Sequence, residues 1–404
     1  MRLMIVVLST LAATAMALAQ PSSRQIIRTG PDLGLPFSPG VKAGGLIYVS
    51  GTVATDAQGR LVAGDIAAQT RQALQNVDAV LKAAGSSLAN AVSVMVYLTR
   101  ADDFAAMNAE YRTHWPADPP TRTTIVTPLA LAGARIEISA IAVPDGAERL
   151  AVRPAGWIPS PNPYSYAIRT GNTLFLSGLV SRNGRDNSHV AGDITKQTTT
   201  ILDNAAEILK AGGMSFGDVV SGRVFLTDRA SFRGMNEAYI ARFPGAPPAR
   251  ATVRAGLSTP DYLVEVTLVA VKDASRTAVA TPDEREASAA RPASTARSPL
   301  SSAIRVGNRL YLSGMLGTNP TNKGDVKSQT AESLARIGRT LRAAGFDWSN
   351  VVEGIVYLPE MARFADMNAA YRDVFKSDFP TRTTAGAAPM NPDAQVEIMM
   401  TAVR

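Results

Sequence analysis

The chain has 404 residues, 46% of them hydrophobic and 19% charged, with no cysteine, two histidines and a formal net charge of +7. Without cysteine there is no disulfide framework. The two histidines, His114 and His189, stand in unrelated surroundings and cannot supply a zinc site or a Ser-His-Asp triad to each part of a repeated chain. The basic residues are dispersed rather than gathered in a stripe, which reads as a solvated, mildly basic surface and argues against a nucleic-acid partner.

Residues 1–19 read as a secretory signal peptide. Arg2 gives a positive start, an apolar run follows, and Ala17-Leu18-Ala19 forms an A-x-A cleavage site. The expectation is a mature chain beginning at Gln20, periplasmic or secreted, with no membrane association after cleavage. No later stretch reaches the ~20 apolar residues needed to span a bilayer.

The rest of the chain repeats itself three times in a fixed order. GGLIYVSG at residues 44–51 returns as GNTLFLSG at 171–178 and GNRLYLSG at 307–314. The segment DIAAQTRQALQNVDAVLKAAG from Asp65 returns from Asp193 and from Asp325, and FAAMNAEY from Phe104 returns as FRGMNEAY from Phe232 and FADMNAAY from Phe364. PTRTT at residues 120–124 returns as PARAT at 248–252 and PTRTT at 380–384. The expected domains are 22–145, 154–272 and 298–404, with a short connection over 144–157. Residues 273–297, rich in Ala, Ser, Arg and Pro and poor in large apolar residues, read as a flexible linker.

Within the first copy, residues 45–51 and the segment after them suggest an apolar hairpin. Ile66, Ala73, Leu74, Val77, Val80, Leu81 and Ala84 have helical spacing, and Gly85 suits the C-terminal cap. Val92, Val94, Val96 and Leu98 alternate with Ser93, Met95 and Tyr97, predicting a strand with one face more apolar. A second helix is expected over 101–115 and a closing strand over 135–143. The fold class is α+β, with two helices packed on one sheet in each copy.

Three polar positions keep their spacing in every copy. Arg122, Arg250 and Arg382 follow a proline; Glu137, Glu265 and Glu397 lie 15 residues later inside an apolar strand; Asn108, Asn236 and Asn368 lie 14 residues earlier inside a helix. A guanidinium offers a flat fork that matches a carboxylate with two hydrogen bonds. Asparagine in a helix displaces better helix formers. Such a set reads either as a site or as a shared structural hydrogen-bond network. Met107, Met235 and Met367, beside the asparagines, are expected in the core. No phosphate-cradling glycine loop is present.

Together, YVSG/FLSG/YLSG, the QT helix, F..MN..Y, P[TA]R[TA]T and the final [IV]E[IV] resemble the reactive-intermediate deaminase (Rid) family of the YjgF-like superfamily, over nearly the whole mature chain. The resemblance implies chorismate mutase-like domains that assemble as trimers with a ligand cleft at each interface. It therefore implies that this chain is a monomer acting as a self-contained pseudo-trimer. It further implies that Arg122, Arg250 and Arg382 bind the carboxylate of a 2-imino acid, and that Glu137, Glu265 and Glu397 position or activate water. Ser50-Gly51, Ser177-Gly178, Ser313-Gly314 and the three asparagines would lie beside the ligand. Water addition and loss of ammonia would give a 2-keto acid, with no cofactor and no metal.

Two departures bear on substrate preference. The cleft tyrosine of the family is kept as Tyr164 but is Phe37 in copy one and Leu300 in copy three. The frequent cysteine after the arginine is Thr124, Thr252 or Thr384. The expected partner is a small carboxylate or imino acid, and the alternative to an imine deaminase is a non-catalytic protein that binds such a carboxylate. An RNA-cleaving reading lacks the paired histidines or clustered acids it would need. Which copy supplies each wall of a cleft stays open at this level.

Overall fold

The computed structural model describes residues 24–282 and 298–404; the expected signal peptide and most of the expected linker lie outside the described residues. In the first copy the strands are β1 (Gln25–Ile27), β2 (Gly40–Ala43), β3 (Leu46–Val53), β4 (Ala91–Leu98), β5 (Thr121–Val126) and β6 (Ile136–Ala142), and the main helices are α1 (Ile66–Ala83) and α2 (Phe104–Arg112). The sheet order is β1-β2-β3-β6-β4-β5. Only β4 and β5 run parallel, joined through α2 as a crossover unit. The other two copies repeat this plan, so each copy is a mixed sheet with two helices.

The long helix forms where its signals are. Asp65, Asp193 and Asp325 cap the three N-termini by accepting the amide hydrogen of Ala68, Lys196 and Ser328. Gly85, at φ +76, lets the chain leave α1 in the left-handed region. Ala73, Leu74, Val77 and Leu81 are fully buried against the sheet. The QT pair also has a role in placing the last strand. Gln69 accepts from the Arg135 amide at 2.8 Å, Gln197 from Leu263 at 3.0 Å and Gln329 from Gln395 at 2.7 Å, so each fixes the approach to the strand that carries the glutamate. The threonine hydroxyls of Thr70 and Thr330 turn back onto their own helix at 2.7 Å.

Two features go beyond the expectations. Strand β4 is buried along its whole length, because its less apolar face, with Ser93, Met95 and Tyr97, packs against the other copies. Met95 and Tyr97 join Phe225, Ala251, Ile355 and Tyr357 in one apolar cluster drawn from all three copies. The domain edges also move. Leu150–Val152 pairs with Ala167–Arg169, and Thr277–Val279 pairs with Ala303–Arg305, so both segments expected to be connections contribute an edge strand to the copy that follows. Three-residue strands are too short to show a period.

An arginine precedes each edge strand and clasps the preceding copy in cyclic order. Arg149 donates to the carbonyl of Asp118 at 2.7 Å, Arg276 to that of Ala246 at 2.8 Å, and Arg24 to that of Asp378 at 2.7 Å. Copies one and two also exchange backbone bonds between Val126 and Gly256; copies two and three pair Val253 with Pro389; and the Gly386 amide donates to Pro128 at 3.0 Å, linking copies three and one.

Candidate functional site

The repeated arginines lie on β5 and its counterparts Ala249–Arg254 and Thr381–Ala385. The constant distance to the glutamate comes from topology. Arg122 pairs with Val94 and Glu137 with Tyr97, so within one copy the arginine and glutamate flank β4 on opposite sides. Two strand spacings across the sheet and a three-residue offset along it separate their Cα atoms by about 14 Å. The partner comes from the next copy instead. Arg122 acts on Glu265, Arg250 on Glu397 and Arg382 on Glu137. These six side chains are 1–7% exposed.

A short backbone ladder joins each arginine to the next copy. The Arg122 amide donates to Ser177 Oγ at 2.9 Å, and the Gly178 amide donates to the Arg122 carbonyl at 3.0 Å. The Arg250 amide meets Ser313 at 2.7 Å and the Arg382 amide meets Ser50 at 2.9 Å. Each of these hydroxyls in turn donates to a carbonyl of its own copy, at Ser165, Ser301 or Ser38. The serine of the SG pair thus pins the arginine strand across the boundary.

The glycine of the pair makes room for the acid. A Cβ on Gly51, Gly178 or Gly314 would lie 1.8, 1.9 or 1.8 Å from Oε1 of Glu137, Glu265 or Glu397. No side chain fits there while the carboxyl holds its place.

Burial dominates the electrostatics. It raises the Glu137, Glu265 and Glu397 carboxyls from the ordinary range to about 8; the Thr124 amide and Arg122 oppose this at Glu265, the Thr252 amide and Arg250 at Glu397, and Arg382 at Glu137. Burial also lowers the arginines, Arg382 to about 10, so the guanidinium stays charged near neutrality. Each guanidinium lies over a tyrosine of the second helix, with 4.8 Å from Arg122 to Tyr111, 4.7 Å from Arg250 to Tyr239 and 4.9 Å from Arg382 to Tyr371. The MN..Y repeat held that signal, since the tyrosine recurs at a fixed offset from the asparagine. The methionines are fully buried in the core, and Sδ of Met235 and Met367 also lies 4.0 and 3.8 Å from an arginine Nη1.

The structure thus brings together Arg, Asn and Thr of one copy with Glu, Ser and Gly of the next. Several buried polar atoms there have no partner among the described residues: Arg122 Nη1, Arg250 Nε, Arg382 Nη2, Asn108 Oδ1, Asn368 Oδ1, and Oγ1 of Thr124, Thr252 and Thr384. Such atoms at one place are what a small polar ligand would satisfy. Tyr164 contributes its ring 6.0 Å from Arg122. Among the described residues no three His, Cys, Asp or Glu side chains group as metal ligands, and no helix is long and apolar enough to cross a membrane.

The repeated arrangement agrees with the comparison to known families. The sequence profile described as Endoribonuclease L-PSP matches residues 29–144, 157–272 and 289–404. The chain belongs to this family. It carries three tandem domains of the YjgF/Rid type. A RutC family protein of Sulfurisphaera tokodaii is 44% identical over 110 residues, 27% of this chain and 88% of that protein. A protein of Arabidopsis thaliana named Reactive Intermediate Deaminase A, chloroplastic, is 35% identical over 108 residues, 27% of this chain and 58% of that protein. The crystal structure of a chorismatase has a similar fold, with a TM-score of 0.54 at 15% identity, over 78% of this chain and 93% of that one.

Proposed function

We propose that this Rid-type chain hydrolyses 2-imino acids to 2-keto acids and ammonia in clefts between its domains. The observation that carries the reading is the buried arginine of one copy facing a buried glutamate of the next, with the carboxyl raised to about 8. The arginine holds the substrate carboxylate by a charge-assisted fork. An imine carbon is already electrophilic, so orientation and one proton-transfer group suffice. In its ionised form the glutamate takes a proton from water as the water oxygen bonds to the carbon of the protonated imine, whose C=N pair moves to nitrogen. The same carboxyl returns that proton to the carbinolamine nitrogen, and ammonia leaves as the C–N bond breaks, the C=O bond forms and the hydroxyl proton passes to the carboxylate and on to solvent. A pKa near neutrality serves both steps, and a cationic iminium beside the carboxyl favours its ionised form. The named Arabidopsis deaminase among the relatives supports the same reaction class.

The chain is further proposed to be exported after loss of residues 1–19, and to work as a monomer whose three joined domains take the place of a trimer. The cyclic arginine clasps support that arrangement. Sedimentation of the mature chain should give the mass of one chain, and a mass of three would sink the arrangement. Detection of the processed chain only in the cytosol would do the same for export.

For activity, imines are generated from amino acids with an amino-acid oxidase and their loss is followed with and without the protein. Acceleration that disappears in an Arg122→Ala, Arg250→Ala, Arg382→Ala chain supports the deaminase. A second reading, capture of a small carboxylate without chemistry, draws on Phe37 and Leu300 standing where copy two has Tyr164. It prevails if the wild-type chain gives no acceleration while keto acids raise its melting temperature.

A further inference from the structure

The three clefts share a plan but not their outer walls. In the cleft of Arg122, the guanidinium carbon lies within 6.0 Å of three rings, Phe104, Tyr111 and Tyr164. In the cleft of Arg382 it again meets three, Phe37, Phe364 and Tyr371, at 5.3, 5.4 and 4.9 Å. Among the described residues only the Tyr239 ring approaches Arg250, at 4.7 Å. The ring position of the neighbouring copy is Leu300 there.

The hydrogen bonds divide the same way. Arg250 Nη2 donates to Asn236 Oδ1 at 2.6 Å, which engages both a terminal guanidinium nitrogen and the asparagine oxygen, while the buried Arg250 Nε has no partner among the described residues. In the other two clefts Asn108 Oδ1 and Asn368 Oδ1 are buried without a partner among the described residues, as are Arg122 Nη1 and Arg382 Nη2. The Asn108 amide instead donates to Asn162 Oδ1 of the next copy at 3.3 Å. A third difference lies one residue beyond the tyrosine. Arg112 donates to the Pro161 carbonyl and Arg372 to the Gly34 carbonyl, tying the cleft helix to the facing loop of the next copy. Ile240 occupies that place beside Arg250 and has no group to do so.

We propose that the clefts are specialised: the chain takes two 2-oxo or 2-imino carboxylates, at Arg122 and at Arg382, while the Arg250 cleft is closed on itself by Asn236 and serves to join domains two and three. This rests on the reading of the clefts as carboxylate sites. A terminal guanidinium nitrogen left open beside an open asparagine oxygen offers one donor to the carboxylate of either ligand and, for the imine, one acceptor to its N–H. The flanking rings add a flat wall on which the unsaturated carbon skeleton lies. At Arg250 a ligand would have to break the 2.6 Å bond to Asn236 first and would find Leu300 instead of a ring.

The test is a calorimetric titration of the purified mature chain with 2-oxobutanoate, a stable 2-keto acid. Two equivalents per chain are expected; three equivalents of indistinguishable affinity would overturn the proposal while leaving the carboxylate reading intact. No binding together with no imine turnover would remove both. In an Arg122→Met, Arg382→Met chain, which leaves the Arg250 cleft as it is, affinity should fall about 100-fold at every detectable site, the loss of a charge-assisted pair. One remaining full-strength site would overturn the proposal. Should that chain fail to fold, as read by circular dichroism, a Tyr164→Leu, Phe37→Leu chain copies the Leu300 wall into the two open clefts without touching a charge. It should bind about tenfold more weakly, and unchanged binding would contradict the specialisation.

Discussion

The cleft walls and the junction where the three sheets meet treat the triplication in opposite ways. At the clefts the arginine, glutamate, serine, glycine, threonine and asparagine are the same residue type in every copy. At the junction matching positions diverge: Leu46, Thr173 and Arg309 share one register, Ser93, Ser221 and Glu353 another, Met95, Arg223 and Ile355 a third. Many of these line an internal cavity of about 50 Å3, separate from the clefts. Arg309 reaches the Gly44 carbonyl and, at 3.4 Å, Thr173 Oγ1, so one side chain ties copy three to copies one and two. Identical subunits would bring three arginines or three glutamates to that place, and like charges at close quarters disfavour burial. Copies joined in one chain are free to differ there, whereas the proposed clefts, if they share one chemistry, are not.

The comparison breaks most sharply at the glycines. Gly51→Ala, Gly178→Ala and Gly314→Ala together must displace the three glutamates, because a methyl group would occupy the carboxyl oxygen's place. Imine turnover should fall by about 100-fold or more, the scale of general acid–base catalysis. A chain that keeps full turnover would show that the glutamate position is irrelevant to the reaction.

Next in size is the dependence of stability on pH. Glu137, Glu265 and Glu397 hold their protons to about pH 8 when folded and to about 4.5 when unfolded. The folded state therefore binds the protons more tightly. This contribution is complete below about pH 4.5 and is lost as pH rises through about 8, at on the order of 1 kcal/mol per pH unit for each carboxyl. Melting temperature should fall between pH 6 and 9, and changing all three to glutamine should flatten the curve. An equally steep fall in the glutamine chain would place the titrating groups elsewhere.

Ser177→Ala should have a smaller effect. It leaves the buried Arg122 amide and Ser165 carbonyl without their shared hydroxyl, costing roughly 1–3 kcal/mol. Thermal melts compared with an exposed Ser188→Ala control measure it, and a neutral result would mean that the serine does not pin the boundary.

Much of this was legible in the sequence because a triplicated chain carries its own comparison. The α1 period, its glycine stop and the Asn–Arg–Glu spacing could all be read from one copy against another. What escaped was partnership. A spacing of 15 between Arg122 and Glu137 reports two strands of one sheet, while the facing acid, Glu265, is far along the chain and reaches the cleft only through packing between copies. Strand β5 escaped because Thr-Arg-Thr-Thr shows no apolar alternation, although both of its faces are buried. The Gly51, Gly178 and Gly314 requirement is steric, and nothing in a YVSG string states which carboxyl sits against its Cα.

The smallest effect is expected at the junction and tests whether the two regions are separable. Burial raises the Glu353 carboxyl; Arg223 and a hydrogen bond from Thr401 Oγ1 at 3.3 Å oppose this. In Glu353→Gln the amide oxygen can still accept from Thr401, and no carboxylate charge has to be held in the cavity wall beside Arg223. Below the ordinary carboxylate range both side chains are neutral and the two proteins should melt together. As pH rises past that range the wild type loses stability that the glutamine chain keeps, so the variant should melt a few degrees higher in mildly alkaline buffer. Turnover should not change, since the cavity and the clefts share no arginine–glutamate pair. A loss of turnover comparable to the glycine substitutions would show that the junction sets cleft geometry, and the freedom of the centre to diverge would then need another explanation.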